Sequence, residues 1–144
     1  MPVSAEPFDL ARFVDAQDAG GTYESALREL RAGRKRSHWM WFVFPQVEGL
    51  GQTPTSQFFG VRGLAEATAY VAHPVLGPRL VAAARVLADL PGDDAVAVLG
   101  STDAMKLRSS MTLFAAADPD EPVYVEVLDK YFGGRQDDAT LSRL

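Results

Sequence analysis

Short breaks punctuate this chain and favour short elements: Gly20-Gly21, Gly33, Pro45 to Pro54, Pro91-Gly92, Asp118-Pro119 and Gly133-Gly134. Proline lacks the amide proton a helix needs and glycine loosens the backbone, so a regular element rarely runs through such points. Between them, apolar residues recur every three or four positions, the spacing of one helix face. Leu10, Phe13 and Val14 mark a helix from about Asp9 to Gln17. Tyr23, Ala26, Leu27 and Leu30 mark a second, with Thr22 as its N-cap and Gly33 as its stop. Further helices are predicted over Gly63 to Ala72, Leu76 to Leu90, Asp94 to Leu99, Thr102 to Ala116, Pro122 to Phe132 and Asp138 to Leu144. The segment His38-Trp39-Met40-Trp41-Phe42-Val43-Phe44 is apolar on every side, so periodicity alone does not separate helix from strand there. With helical neighbours it reads as a short helix capped by Ser37 and ended by Pro45. No set of alternating strands emerges. The expected fold is all-α: a single helical domain over residues 1–144, an irregular bundle of about seven to eight short helices, with residues 1–7 as a loose tail.

Length and composition close off several kinds of function. The 144 residues are 47% hydrophobic, enough apolar matter for a core at this size. With no cysteine there is no disulfide framework, thiolate metal site or cysteine nucleophile, which fits a reducing compartment. The opening Met1-Pro2-Val3-Ser4-Ala5-Glu6 has neither a basic flank nor an apolar run, so the cytoplasm is the expected location and no membrane partner is expected. The net charge of −5 argues against a nucleic-acid partner. The charge is nonetheless uneven: Glu24 to Arg36 holds five basic residues against two acids, and Asp118 to Asp138 holds seven acids against Lys130 and Arg135. Phosphate-loop, dinucleotide, nucleophile-elbow, zinc-helix and calcium-loop motifs are all missing, and His38 and His73 stand too far apart and too alone to suggest a metal. No metal or cofactor is expected.

Polar residues interrupt the apolar stripes, and these are the candidate site. Gln17 projects among Leu10, Phe13 and Val14, and Asp103, Lys106 and Ser110 share a side with Leu107 and Phe114. Each has a plain structural alternative: a core amide serving loop backbone for Gln17, a first-turn salt bridge for Asp103 and Lys106, and back-bonding to a carbonyl for Ser109 and Ser110. A second polar cluster, Lys35-Arg36-Ser37-His38, opens the aromatic segment. Trp39 and Trp41 point to different sides, so at most one can stack on a ligand while the other fills core. Gln46, and Arg79 at the margin of the Leu76, Leu80, Ala83 and Leu87 stripe, complete the set.

The run Ala26 to Gln46, with Phe8-Asp9-Leu10, Arg12-Phe13 and Gln17 before it, resembles the domain-of-unknown-function family eighteen-ten. So do His73-Pro74, Leu76 to Leu80, Lys106 to Phe114 and the closing Tyr131-Phe132-Gly133-Gly134. The resemblance spans nearly the whole chain. It implies a helical single-domain fold found mainly in bacteria, with no established activity. The label calpastatin sometimes given to members does not suit this compact, aromatic-rich chain.

The expectation is therefore a pocket for a small anionic ligand, a nucleotide-like phosphate or a carboxylate. Lys35, Lys106 and Arg79 would hold the anion, Trp39 would cover a ring, and Gln17, Gln46 and Ser110 would orient it. If the protein is an enzyme, His38 would be the acid or base and Asp103 its partner, in a metal-independent hydrolysis or group transfer. The alternative is a protein-interaction module built on an exposed aromatic segment, Trp39 to Pro45.

Overall fold

The computed structural model describes residues 8–144; the expected loose tail at residues 1–7 lies outside the described residues. The chain is an all-α bundle. Its helices are α1 (Ala11–Asp18), α2 (Thr22–Arg31), α3 (Met40–Val43), α4 (Pro54–Phe58), α5 (Gly63–Ala72), α6 (Leu76–Asp89), α7 (Ala95–Leu99), α8 (Ser101–Ala117), α9 (Val123–Phe132) and α10 (Asp138–Leu141). Ten helices lie among the described residues, more than the seven to eight expected; α3, α4, α7 and α10 are only four or five residues long, and α4 is the one with no predicted counterpart. No strand occurs among the described residues; one isolated bridge pairs Val47 with Val61. No helix among them is long and apolar enough to cross a membrane.

Local chemistry explains the boundaries, with three departures from expectation. Thr22 does not cap α2: it is the first helical residue, and its hydroxyl donates to the Ala19 carbonyl at 2.6 Å. Gly33 does end α2 as expected, at φ 75°, with the Arg34 amide returning to the Glu29 carbonyl at 3.0 Å. Ser37 does not cap the aromatic segment, which forms one turn only; its hydroxyl is held by Glu29 instead. In the stretch expected to be loop, Thr53 accepts from the Ser56 amide at 3.1 Å and Pro54 occupies the first turn, so α4 forms there.

α8 is the centre of the bundle, packing on α5, α7, α9 and α10. Its second half, Ser109 to Phe114, is buried all round. A chain of aromatic rings crosses the core: Phe13 on Tyr70 at 5.1 Å, Tyr70 on Phe114 at 5.2 Å and Phe114 on Tyr124 at 6.1 Å. Such pairs add about 0.5–1.5 kcal/mol each to the burial of their surface. Where α5 turns into α6, the His73 ring nitrogen Nδ1 accepts from the Val75 and Leu76 amides at 3.1 and 3.2 Å. Gly77 follows at a close approach: a Cβ there would stand 2.2 Å from the Val71 carbonyl oxygen.

Candidate functional site

The loop after α2 is positioned by one carboxylate. Glu29 accepts from the Arg36 amide at 2.8 Å, the Ser37 amide at 3.0 Å, the Ser37 hydroxyl at 2.5 Å and the Trp39 indole at 2.8 Å. Burial pushes the Glu29 carboxyl up, but those four hydrogen bonds outweigh it and hold the group at about 2. The Lys35 amide donates to the Val98 carbonyl at 2.7 Å, tying the same loop to α7. Lys35 is thereby presented to the first turns of α8.

There its ammonium meets Asp103 at 2.8 Å, and the other oxygen of Asp103 meets Lys106 at 3.5 Å. The three side chains are 9, 18 and 19% exposed for Lys35, Asp103 and Lys106. Two cations share one anion, which leaves an excess positive charge that is only partly solvated. Each ammonium also lies over an indole: Lys35 5.3 Å from the Trp39 ring centre and Lys106 4.7 Å from that of Trp41. Such contacts contribute about 0.5–2 kcal/mol, more as water is excluded.

Of the predicted site residues, Lys35, Asp103 and Lys106 come together, with Trp39 alongside. Trp39 is fully buried and hydrogen-bonded to Glu29, so it fills core rather than covering a ligand. The half-buried indole at the cluster is that of Trp41. His38 is exposed, and among the described residues no hydrogen bond or ion pair joins it to Asp103, whose carboxylate is engaged by the two lysines. The expected acid–base pair is therefore not assembled. The stretch Trp39 to Pro45 is mostly buried, with Trp41 and Phe42 half-buried, and forms no exposed patch.

Gln17 and Arg79 belong to a separate network. The Gln17 amide donates to the Phe42 carbonyl at 2.7 Å and the Tyr70 hydroxyl at 3.3 Å, and accepts from Arg79 at 3.2 Å. Arg79 also pairs with Asp18 at 2.9 Å and lies over the Tyr23 ring at 5.1 Å. Tyr23 donates to the Arg79 carbonyl at 2.7 Å, and burial pushes its hydroxyl up to about 12. These contacts pin α1, α2, α5 and α6 to one another and give Gln17 the core-amide role. Gln46 is half-buried and engages Val61 through its backbone carbonyl at 2.9 Å. Ser109 and Thr112 back-bond to Met105 and Arg108, at 3.2 and 2.8 Å. Ser110, on the Asp103 and Lys106 side of α8, is fully buried and its hydroxyl has no partner among the described residues.

Three residues escaped sequence reasoning. Glu29 sits at the flank of the α2 stripe with no local sign of its donors, which lie seven to ten positions on. Arg12 and Glu66 form a buried ion pair at 2.8 Å across 54 positions, with side chains 7 and 0% exposed. Arg12 also donates to the Phe58, Asp9 and Gly60 carbonyls, holding the 46–62 loop against α1.

Residues 7–144 match the family model described as a protein of unknown function, DUF1810. No curated protein matches the chain. Among solved structures, the conserved hypothetical protein Rv1873 from Mycobacterium tuberculosis is 47% identical and superposes with a TM-score of 0.93. The match covers 96% of this chain and 98% of that one, so the two share the helical fold throughout.

Proposed function

This chain belongs to the DUF1810 family of proteins of unknown function, and from its own side chains we propose that it binds a small anion, a phosphate or carboxylate carried by a flat ring. The observation that carries this reading is the two-to-one arrangement of Lys35 and Lys106 around Asp103. Here one ammonium's worth of charge is left over in a partly desolvated spot, where an added anion gains more than it would in water. Trp41 supplies the flat surface beside that charge, since Lys106 already lies over its ring. The exposed Arg34 and Arg36 flank Lys35 in sequence and favour the approach of an anion. The role is binding: the two lysines occupy the carboxylate that a histidine would need for acid–base chemistry.

The test is a titration with adenosine monophosphate, inorganic phosphate and benzoate, read by thermal shift and tryptophan fluorescence. Adenosine monophosphate is expected to bind best and to stabilise by about 2.7 kcal/mol at 100 times its dissociation constant. Lys35→Met and Lys106→Met should each weaken binding at least tenfold. Asp103→Asn should strengthen it, because it removes the competing carboxylate. Absence of stabilisation by all three compounds, or indifference to both lysine replacements, overturns the reading.

A further inference from the structure

A second place in the molecule leaves polar groups unanswered. The end of α5, the outer face of α6 and the start of α9 border an open cleft of about 480 Å3, a size suited to a small molecule. Val71, Pro78 and Val81 give it an apolar wall. Gly77 keeps that wall tight by letting α6 start against the Val71 carbonyl. Two polar side chains also line the cleft, Tyr124 and Asp118. Tyr124 is fully buried, and its hydroxyl has no hydrogen-bond partner among the described residues. The one basic residue of the lining, Arg85, is committed elsewhere: it is held by Glu126 at 2.9 and 3.0 Å and reaches Asp89 at 3.7 Å. The half-buried Asp118 carboxylate is thus left without a cation among the described residues.

From this combination we infer that the cleft binds a small amine with an apolar body, its ammonium between Asp118 and Tyr124. The chemistry of the donors selects the class. An ammonium has three hydrogens to give; Asp118 accepts one as a carboxylate and the phenol oxygen accepts another. An anion would meet Asp118 with Asp120 and Glu121 close behind it in sequence, and be repelled. Burial, then Glu121 and Asp120, push the Asp118 carboxyl up, and burial, then Asp118 and Glu121, push the Tyr124 hydroxyl up.

Benzylamine, with benzoate as the charge-reversed control, tests the assignment by amide chemical shifts on the intact chain. Benzylamine is expected to move the amides of Val71, Val81 and Tyr124, and benzoate to leave them in place. Asp118→Asn should weaken the amine at least tenfold and Tyr124→Phe about threefold, with the thermal midpoint of each variant confirming that it is folded. Ala82→Trp, which adds an indole at the exposed part of the lining, should abolish binding. Benzoate shifts of equal size at Val71, Val81 and Tyr124, benzylamine shifts confined to other parts of the molecule, or unchanged benzylamine affinity in Asp118→Asn would each overturn it.

Discussion

Around Glu66 one carboxylate meets one guanidinium, and the remaining donors of that guanidinium are spread over the Phe58, Asp9 and Gly60 carbonyls while the Arg62 amide takes the other carboxylate oxygen at 2.8 Å. Around Asp103 one carboxylate is divided between two ammonium groups, at 2.8 and 3.5 Å, and water still reaches all three side chains. The first arrangement is closed: charge is balanced and a loop is fastened to the core. The second is open: charge is left over, and two indoles flank it. The contrast separates polar residues whose charge is balanced within the fold from polar residues left with charge in excess.

The largest effect should come from opening the closed arrangement. Glu66→Ala leaves Arg12 buried without a counter-charge, and the expected loss is about 3–5 kcal/mol in urea unfolding. A loss below about 1 kcal/mol would break the contrast. Next comes the clamp that presents Lys35. Glu29→Gln removes an anion that accepts four hydrogen bonds, and should cost about 1.5–3 kcal/mol. Because this carboxyl is held at about 2, below its ordinary 4.5, its stabilisation is complete above pH 4.5 and fades as pH falls through 2. Urea midpoints between pH 5 and 2 should therefore fall more steeply for the native chain than for Glu29→Gln, and parallel curves would remove Glu29 from the clamp. The smallest effect belongs to the open cluster. Lys106→Met should change stability by less than about 1 kcal/mol and in the stabilising direction, since it replaces a partly buried like-charged neighbour of Lys35 with an apolar stem. A loss of several kcal/mol would move Lys106 to the structural side.

The helical class was legible because it is written locally. Stripes such as Leu76, Leu80, Ala83 and Leu87 need only their own helix to be seen, and all four are buried. The pairing of Lys35 with Asp103 was legible in part, as two polar clusters on apolar elements, but sequence could not tell which polar groups meet. Gln17 looked like a member of the same site and instead belongs with Arg79 and Phe42. Trp39 and Trp41 were expected to point to different sides; both indoles flank the Asp103 cluster, and Trp39 is the buried one, held by a hydrogen bond to Glu29 that no periodicity reveals. Arg12 and Glu66 lay furthest beyond reach. Each reads as an ordinary charged residue on its own helix, and only the folded chain removes both from water.

Gly77 gives the molecule a single-atom handle on remote places. One methyl group there would wedge α5 and α6 apart at the Val71 carbonyl. Because α6 also carries Arg79 to Gln17 and forms a wall of the amine cleft, the strain would be felt at the α1 junction and at the ligand cleft together. A Gly77→Ala allele is accordingly the natural place to look for a conditional phenotype: a chain that assembles in the cold and loosens at two distant points on warming.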